Sequence, residues 1–576
     1  ARSLDWMSRE VSGGILAVIL IALMVLPRNA AALTATCAAG VWVVTLAIAR
    51  WRDLRLPGHA TGAVLTAAAA PVAWIAARSL WAADPHVAFG GSLGQRTGVF
   101  TWVAALAVLV IMVLARRSGD AGRMVRSLAV FGSALAMAAI IDRMGLLPGA
   151  KFSIEPSGVV ENSISLAQVL LVCLGAALSW LWAKRHSRQA VAAGACVLVI
   201  LAGLLVADSA AAWVGAALAV VVGVALTLMV RSRRAAPSAN AGAYVISGVL
   251  VGSVATIAAM LRDGISPGME TNLAQLANNR FTIWTSAVAQ VQERLLFGWG
   301  AEQFSAWVTW SVSPEGAVLT NGTYDPHNVL LYWLLAGGMV AFVLVVVATA
   351  MLVSRLASSV TGVSGGLAAS GVLALGTAML FAWTSPMGLI LAAALVGVML
   401  PTDSIRSAPS LARGLAIASA SLALGGIVLT LSWSGLAEFT WARLASAGSA
   451  DAMEITRLAR STEDPSLASQ AVLTWGARAG TESAPTIEDA AVLTPVLDRA
   501  AQWHVDAAFG RFRLAASDLR ADEEWASAKA ALRAGAQADP TSGLWDYLGA
   551  SAAALTGRAQ EARQYAAKAL VLPSPD

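Results

Sequence analysis

"DPHNVLLYWLLAGGMVAFVLVVVATAML", residues 325–352, begins with polar side chains and continues as one long apolar run. The run from Val329 to Leu352 contains no charged side chain. It exceeds the ~20 residues that an α-helix needs to cross the hydrocarbon core of a bilayer. The stretch therefore predicts a membrane-spanning helix with Asp325, His327 and Asn328 at its entrance.

Similar apolar runs recur along the chain, which has 576 residues, 57% hydrophobic and only 13% charged. Its mean hydropathy is +0.69, whereas roughly a quarter of the residues are charged in a soluble domain. We predict about thirteen spans by the length criterion. They lie near residues 13–27, 31–49, 61–77, 98–115, 127–141, 164–183, 190–207, 210–230, 241–261, 328–352, 366–383, 386–400 and 415–433.

The predicted fold class is all-α and has two parts. Residues 1–433 form a polytopic membrane bundle of about 12–13 helices, and residues 434–576 form a soluble helical domain. The cysteines Cys37, Cys173 and Cys196 lie inside apolar runs, so we interpret them as packing residues rather than a disulfide or metal set.

The loops between the predicted spans alternate in charge, and every even-numbered span is followed by basic residues. These basic residues are Arg50, Arg52, Arg55, Arg116, Arg117, Arg123, Arg126, Lys184, Arg185, Arg188, Arg231, Arg233, Arg234, Arg355, Arg406 and Arg413. Cytoplasmic loops carry the excess of Lys and Arg. The pattern therefore predicts a cytoplasmic N-terminus, with loops 78–97, 142–163 and 262–327 and the C-terminal domain outside.

His327 is the first candidate for chemistry on the outside. A histidine titrates near neutral pH and can take a proton from a hydroxyl group. Asp325 is a candidate for orienting the ring. The structural alternative is an interfacial histidine that caps the next helix together with Asn328.

Two arginines on the predicted outer side are candidates for binding phosphate, because the planar guanidinium fork matches phosphate oxygens. Arg280 precedes Trp284, an aromatic residue suited to the membrane interface, and Arg96 precedes the fourth span. The alternatives are a solvated helix charge for Arg280 and interface snorkelling for Arg96. Asn162 stands where an N-cap of the sixth span is expected.

Several function classes find no support in the sequence. It contains no Walker loop, dinucleotide fingerprint or His/Cys metal set, and no basic face for nucleic acid. We therefore expect no cofactor, no metal and no nucleic-acid partner. Arginines that hold a leaving diphosphate and a base that activates a hydroxyl would suit diphosphate-linked lipid chemistry.

The C-terminal sequence "ADPTSGLWDYLGASAAALTGRAQEARQYAAKALVLPSP", residues 538–575, resembles a tetratricopeptide repeat (TPR). Trp545, Leu548 and Gly549 fit the first helix, and Arg558 fits the turn. Such helix pairs stack into a concave surface that binds proteins. The alternative is a helical cap that has no partner.

The combined motifs resemble a known family. "RFTIWTSAVAQVQERLLFGWGAEQF", residues 280–304, followed by "YDPHNVLLYWLLAGGMVAFVL", residues 324–344, is similar to the hallmark region of the O-antigen ligase and O-antigen polymerase (WaaL/Wzy) superfamily. The upstream segments "FGGSLGQRTGVFTW" and "PSGVVENSISLAQVLL" also resemble segments of that family. The resemblance covers roughly residues 80–400.

The resemblance implies a metal-independent membrane glycosyltransferase of the GT-C type in a bacterial cytoplasmic (inner) membrane. The implied donor is a glycan on a polyprenyl diphosphate, and the implied acceptor is a glycan, a lipid or a protein. In that family's pattern His327 is catalytic, and Arg280 with Arg96 would bind the donor diphosphate. The supporting residues are Asp325, Asn328, Trp284, Asn162 and Glu302.

The sequence departs from the family pattern at one place. The family commonly has Ser-Arg-Gly-Ala at the outer start of a span, but here Ser209 is followed by Ala210, Ala211 and Ala212. Another cation, such as Arg96, must then replace the absent arginine. Two alternatives stay open: a solute transporter, which predicts internal repeats and broken helices, and a non-catalytic scaffold whose TPR-like domain docks a partner.

Overall fold

The structure is a computed structural model. It describes residues 15–16, 19, 31–51, 53–82, 85–91, 97–117, 119–144, 163–207, 209, 212–213, 283–284, 287–288, 290–304, 325–359, 363–380, 382, 384–401, 409–430, 522–538, 544–555 and 558–571.

These parts of the chain are helical, and no β-strand occurs among them. The helices are α1 (Ala31–Ala49), α2 (His59–Ser79), α3 (Pro85–Gly90), α4 (Val99–Leu114), α5 (Asp120–Arg143), α6 (Ser163–Ala183), α7 (Gln189–Ala207), α8 (Val329–Ser359), α9 (Val363–Ala378), α10 (Pro386–Met399), α11 (Pro409–Thr430), α12 (Asp522–Ala538), α13 (Leu544–Leu555) and α14 (Ala559–Val571).

Six of the described helices are long and apolar enough to cross a membrane, namely α2, α5, α6, α7, α8 and α11. Four shorter apolar helices, α1, α4, α9 and α10, lie at other predicted spans. The protein is therefore a multi-pass helical membrane protein, as predicted. The predicted spans 13–27, 210–230 and 241–261 lie almost wholly outside the described residues.

Helix α6 lies at the centre of the bundle, with 89% of its apolar window buried. It packs against α5, α7, α9 and α10. At its crossing with α9, a Cβ atom on Gly175 would lie 2.6 Å from the Cα atom of Gly371. Small residues at this crossing let the two backbones approach closely, as is common between membrane helices. None of the three cysteines forms a disulfide, and Cys173 is buried within α6.

One end of the bundle joins the basic loops that follow the second, fourth and twelfth predicted spans. We call it the basic end, defined by residues 50–58, 114–120 and 400–401. Arg50 lies 2.8 Å from Asp120, and the Thr61 hydroxyl donates to the Pro401 carbonyl over 2.9 Å. The structure thus brings these three basic loops together, in agreement with their predicted placement on one side of the membrane.

Helices α2 and α4 each run from the basic end to the other end of the bundle. We call that the site end, defined by the described residues among 78–82, 97–98, 294–304, 325–332 and 379–385. There the Ala301 N–H donates to the Ser79 hydroxyl over 3.2 Å, and the Val329 N–H donates to the Met379 carbonyl over 2.8 Å. The site end therefore brings together the described parts of two loops that the charge pattern places outside, 78–97 and 262–327.

Helices α12, α13 and α14 share a separate small core that includes the buried Trp525 and Trp545. Gly549 of α13 faces Tyr565 of α14 so closely that a Cβ atom at Gly549 would lie 2.6 Å from the ring. The Trp525 indole N–H donates to the Glu561 carboxylate over 3.0 Å. Helices α13 and α14 lie on either side of the predicted turn at Arg558, and the assignment as a TPR stays a prediction.

Candidate functional site

The structure describes five of the eight residues that the sequence singled out. Asp325, His327 and Asn328 lie together at the start of α8, Glu302 lies in the turn before it, and Trp284 lies on the preceding helical segment. The remaining predicted residues lie outside the described residues. They are Arg280, Arg96 and Asn162.

Asp325 holds His327 through two hydrogen bonds. The Asp325 carboxylate accepts the backbone N–H of His327 over 2.6 Å, and the His327 Nδ1 atom lies 2.8 Å from the Asp325 carbonyl oxygen. A carbonyl oxygen only accepts hydrogen bonds, so Nδ1 carries the hydrogen and the lone pair of the neutral ring is at Nε2. Asp325 therefore orients the imidazole through its backbone carbonyl, while its carboxylate fixes the main chain.

The main chain at His327 has a left-handed conformation with φ 54°, and Glu302 has φ 55°. Non-glycine residues rarely adopt this conformation, and it costs free energy that the surrounding structure must supply. Both residues are buried, His327 with 7% and Glu302 with 3% of its surface exposed. Backbone strain of this kind is concentrated at functional sites. The presence of two such residues at the site end therefore favours a function there.

Asn328 caps helix α8. Its side-chain oxygen accepts the backbone N–H groups of Leu330 over 2.9 Å and of Leu331 over 3.1 Å. These N–H groups are among the first of the helix, which have no partner within the helix itself. Asn328 therefore fixes the start of α8 directly after His327.

Glu302 belongs to a buried network that connects two predicted motifs. The Thr97 hydroxyl donates to the Glu302 carboxylate, and the Thr97 carbonyl accepts the Tyr332 hydroxyl over 2.7 Å. The Trp102 indole N–H donates to the same Tyr332 oxygen over 3.2 Å. Both Glu302 and Asp325 interact electrostatically with Tyr332, so both carboxylates lie near the start of α8.

Helix α8 is broken at Gly338, where φ is 67° and ψ is −163°. In an unbroken helix the Leu335 carbonyl would accept the Met339 N–H. Instead, the Leu335 carbonyl accepts the Trp299 N–H over 2.7 Å, and the Met339 N–H donates to the Leu295 carbonyl over 2.8 Å. The predicted span over 328–352 is present among the candidate membrane helices, but it is kinked at Gly338, which the sequence did not predict.

The same exchange occurs one residue further along both segments. The Ala336 carbonyl accepts the Gly300 N–H over 3.0 Å, and the Val340 N–H donates to the Leu296 carbonyl over 3.4 Å. Residues 295–300 and 335–340 thus exchange the hydrogen bonds that each would form as a helix. We call this arrangement the crossing. It satisfies the backbone groups freed by the break, as a membrane protein requires.

Glycines make the crossing sterically accessible. A Cβ atom on Gly298 would lie 2.5 Å from the Gly338 nitrogen, and one on Gly338 would lie 2.3 Å from the Leu296 carbonyl carbon. Helix α2 secures the crossing through two side chains. The Trp74 indole N–H donates to the Gly337 carbonyl over 2.8 Å, and Arg78 Nε donates to the Gly298 carbonyl over 3.0 Å.

The segment around Trp284 is helical at residues 283–284, 287–288 and 290–293, and it leads into the turn at Gly298–Phe304. Its apolar side packs on the first part of α8. This apolar cluster contains the buried residues Ile283, Ala287, Val291, Trp299, Phe304 and Leu335, with Trp284, Leu331 and Leu334 partly buried around it. Trp284 therefore contributes packing that holds the turn against α8.

The sequence reasoning did not identify Thr97, Tyr332, Arg78 or Arg294 as parts of the site end. Thr97 follows the predicted Arg96 directly, and Tyr332 comes one helical turn after the Asn328 cap. Arg78 had a detectable signal, because it ends an apolar run and is followed by exposed Trp81. The others gave no sequence signal apart from their proximity to a motif.

Comparison with known proteins gives one match. Residues 195–346 match the family model described as O-antigen ligase. This segment includes Trp284, Glu302, Asp325 and His327. No curated protein and no solved structure matches the chain.

Proposed function

We propose that this protein ligates or polymerises glycan at a membrane, because residues 195–346 match the family model described as O-antigen ligase and the chain is a multi-pass helical membrane protein. Under this proposal it is a glycosyltransferase of the O-antigen ligase or polymerase type. Its donor is a glycan on a polyprenyl diphosphate, and its acceptor is a hydroxyl group at the outer face of the cytoplasmic membrane.

His327 is the proposed catalytic residue, and one observation carries the proposal. The contact between Nδ1 and the Asp325 carbonyl leaves the lone pair of the neutral ring at Nε2. In the proposed step Nε2 takes the proton of the acceptor hydroxyl, and the hydroxyl oxygen forms a bond to the anomeric carbon. The bond from that carbon to the diphosphate oxygen breaks, and the diphosphate leaves with the electron pair. Direct displacement inverts the anomeric configuration.

Arg280 and Arg96 are the proposed ligands of the leaving diphosphate. Guanidinium groups stabilise the negative charge that develops on the diphosphate as its bond to the sugar breaks. Arg96 directly precedes Thr97, which Glu302 and Tyr332 hold in the buried network. That anchoring supports a role for Arg96 beside His327, and it offers a cation in place of the arginine absent near Ala210.

The break in α8 bears on the transporter alternative, because broken helices are a feature of transporters. In many transporters the unwound backbone groups bind the substrate or a coupling ion. Here the groups of residues 335–340 instead bond to residues 295–300. The crossing therefore supports an anchoring function for this break, and the match to the ligase family favours the transferase.

The test compares surface and lipid-linked glycans of the native host in four strains: wild type, deletion, His327→Ala and His186→Ala. His186 is exposed in the basic loop after α6, so it controls for loss of a histidine. We expect the deletion and His327→Ala to show the same defect, with transfer reduced at least about a hundredfold, and His186→Ala to resemble wild type.

The kind of defect identifies the reaction. Single repeat units in place of chains indicate a polymerase, and long lipid-linked glycan that never reaches its acceptor indicates a ligase or a protein glycosyltransferase. Wild-type glycans in His327→Ala with a defect in the deletion would refute the catalytic assignment and favour a scaffold. Unchanged glycans in the deletion would refute the transferase itself.

A further inference from the structure

A groove of about 710 Å³ lies beside the crossing. Arg78 and Trp81 line it from the end of α2, and Arg294, Leu296 and Phe297 line it from the segment before Gly298. Among the residues that the structure describes, none of the proposed catalytic and supporting residues lines it. The groove is therefore distinct from the described part of the His327 site.

The groove holds two guanidinium groups close to one another. Arg294 lies near enough to Arg78 for electrostatic repulsion between them. Arg78 is fixed by its bond to the Gly298 carbonyl, and the guanidinium carbon of Arg294 lies 3.9 Å from the Trp299 ring centroid. Two like charges fixed at one place produce a positive potential that attracts an anion.

The described part of the chain supplies no carboxylate that neutralises this pair. Glu293 also lines the groove, but neither arginine forms an ion pair with it or with another described acidic residue. Since the bond of Arg78 to Gly298 uses only Nε, its two terminal nitrogens can still donate to an anion. A phosphate group offers the matching acceptor oxygens.

The rim of the groove is apolar and exposed. Exposed fractions are 61% for Leu80, 69% for Trp81, 60% for Leu296 and 54% for Phe297. Contiguous apolar side chains of this size mark a surface that contacts a membrane or a partner. Arg78 is the penultimate residue of the candidate span α2, and tryptophan is enriched where such spans meet the lipid head groups. The rim therefore fits lipid chains, and the arginines fit a lipid head group.

We propose that this groove binds the phosphate of an anionic bilayer phospholipid, with the acyl chains against the apolar rim. The polyprenyl diphosphate donor belongs to the His327 site under the proposed function. The groove is open to the protein surface, where bilayer lipid is present in excess. Arg78 and Arg294 flank residues 295–298 of the crossing, so a bound lipid also stabilises the broken part of α8.

The experiment measures lipid binding to the purified full-length chain in uncharged detergent by native mass spectrometry. The probes are phosphatidylglycerol and phosphatidylcholine with identical acyl chains. We expect phosphatidylglycerol to bind and to raise the thermal midpoint. Arg294→Gln should weaken that binding about tenfold, the loss expected for one charged hydrogen-bonding group. Arg78→Gln with Arg294→Gln should abolish it.

The matched control is Arg185→Gln. Arg185 also stacks on a tryptophan, with its guanidinium carbon 4.8 Å from the Trp182 ring centroid, but it is exposed in a basic loop. We expect it to leave the binding unchanged. Arg294→Gln is the decisive single variant, because it preserves the bond of Arg78 to Gly298 and is therefore expected to fold.

Three results would overturn the proposal. In the first, Arg294→Gln and the double variant bind phosphatidylglycerol as wild type does. In the second, inorganic phosphate protects the chain against heat as well as phosphatidylglycerol does, which would assign the groove to a free anion. In the third, a polyprenyl diphosphate displaces phosphatidylglycerol stoichiometrically, which would make the groove part of the donor site. None of these measurements requires glycan transfer, so they are independent of the proposed function.

Discussion

The two ends of the bundle differ in the ion pairs that their described arginines form. At the basic end Asp120 pairs with Arg50 over 2.8 Å and with Arg123 over 2.5 Å. At the site end the described arginines, Arg78 and Arg294, contact a carbonyl oxygen and an indole ring instead of a carboxylate. The first arrangement neutralises charge within the protein, whereas the second leaves positive charge directed at the surroundings.

The difference separates structural charges from charges that are available to a ligand. The Arg50 and Asp120 side chains are 5% and 10% exposed, so each compensates the burial of the other. The stability of the site end depends instead on backbone hydrogen bonds at the crossing, on the Asn328 cap and on the Thr97–Tyr332 contacts. We expect mutations of the paired charges at the basic end to alter folding, and mutations of the charged side chains at the site end to alter transfer or lipid binding.

The largest effect is expected at the crossing itself. Gly338→Ala places a Cβ atom 2.3 Å from the Leu296 carbonyl carbon, in a backbone conformation that only glycine adopts readily. We expect a loss of at least about 3 kcal/mol of stability, measured as the folded fraction on size exclusion and as the thermal midpoint. The control is Gly376→Ala in α9, where the new Cβ atom meets open space, and it should be neutral or stabilising by up to about 1 kcal/mol. Equal thermal midpoints for Gly338→Ala and Gly376→Ala would contradict the close approach of backbones at the crossing.

The next effect tests the basic end. Asp120→Ala leaves Arg50 buried without its carboxylate, so we expect a loss of about 3–5 kcal/mol. Asp53→Ala removes the carboxylate that contacts Arg117, but those side chains are 41% and 30% exposed, so the expected loss is below about 1 kcal/mol. Thermal midpoints measure both, and the folded Asp120→Ala protein should keep its transfer rate. If Asp120→Ala lost much of its transfer rate while its stability stayed unchanged, the basic end would not have the purely structural role described.

A smaller effect, on the transfer rate alone, is expected at Asp325 and tests how this residue acts on His327. Its carboxylate accepts the His327 N–H, and an asparagine oxygen can accept the same hydrogen bond. We therefore expect Asp325→Ala to slow transfer about 10- to 100-fold, the value of one charge-assisted hydrogen bond, and Asp325→Asn to slow it less. The transfer rate at saturating donor gives the measurement. If Asn slows transfer as much as Ala, the negative charge matters more than positioning.

The smallest effect is expected at the cap of α8. Asn328→Ala removes the acceptor for Leu330 and Leu331, which should cost about 1 kcal/mol. Asn328→Asp restores an acceptor and should return the thermal midpoint to near that of wild type. If the transfer rate of Asn328→Ala falls more than about tenfold with the midpoint preserved, Asn328 acts on the substrate rather than only on the helix.

Much of the fold follows from local sequence. Apolar length predicts the ten described apolar helices of the membrane part, and charge alternation agrees with the meeting of the loops that follow the second, fourth and twelfth predicted spans. The observed helix ends differ from the predicted span ends, because a polar residue does not by itself end a helix. Helix α5, for example, begins at Asp120 rather than at residue 127. The break at Gly338 is not local. It depends on residues 295–300, which are far away in sequence, and the Gly337–Gly338 pair only permits it.

The site is predictable at its centre and less so around it. The position of His327 before an apolar run, together with the family resemblance, identified it as the candidate. The carbonyl contact that fixes its ring depends on the left-handed backbone at His327. Neither Asp325 nor the proline that follows it predicts this conformation. The proximity of Arg78 to Arg294 requires α2 to pack against the segment before Gly298, which no single-residue pattern encodes.

The exchange of hydrogen bonds at the crossing has a consequence for membrane insertion. If α8 entered the lipid already kinked, the carbonyl groups of Leu335 and Ala336 would have no hydrogen-bond partner until residues 295–300 docked. Such groups cost free energy in a bilayer. Because glycine also accepts helical dihedral angles, the pair Gly337–Gly338 lets α8 insert first as a straight rod. We therefore expect the kink to be a late event of biogenesis, formed when the preceding segment docks, so that His327 acquires its final position only in the assembled bundle.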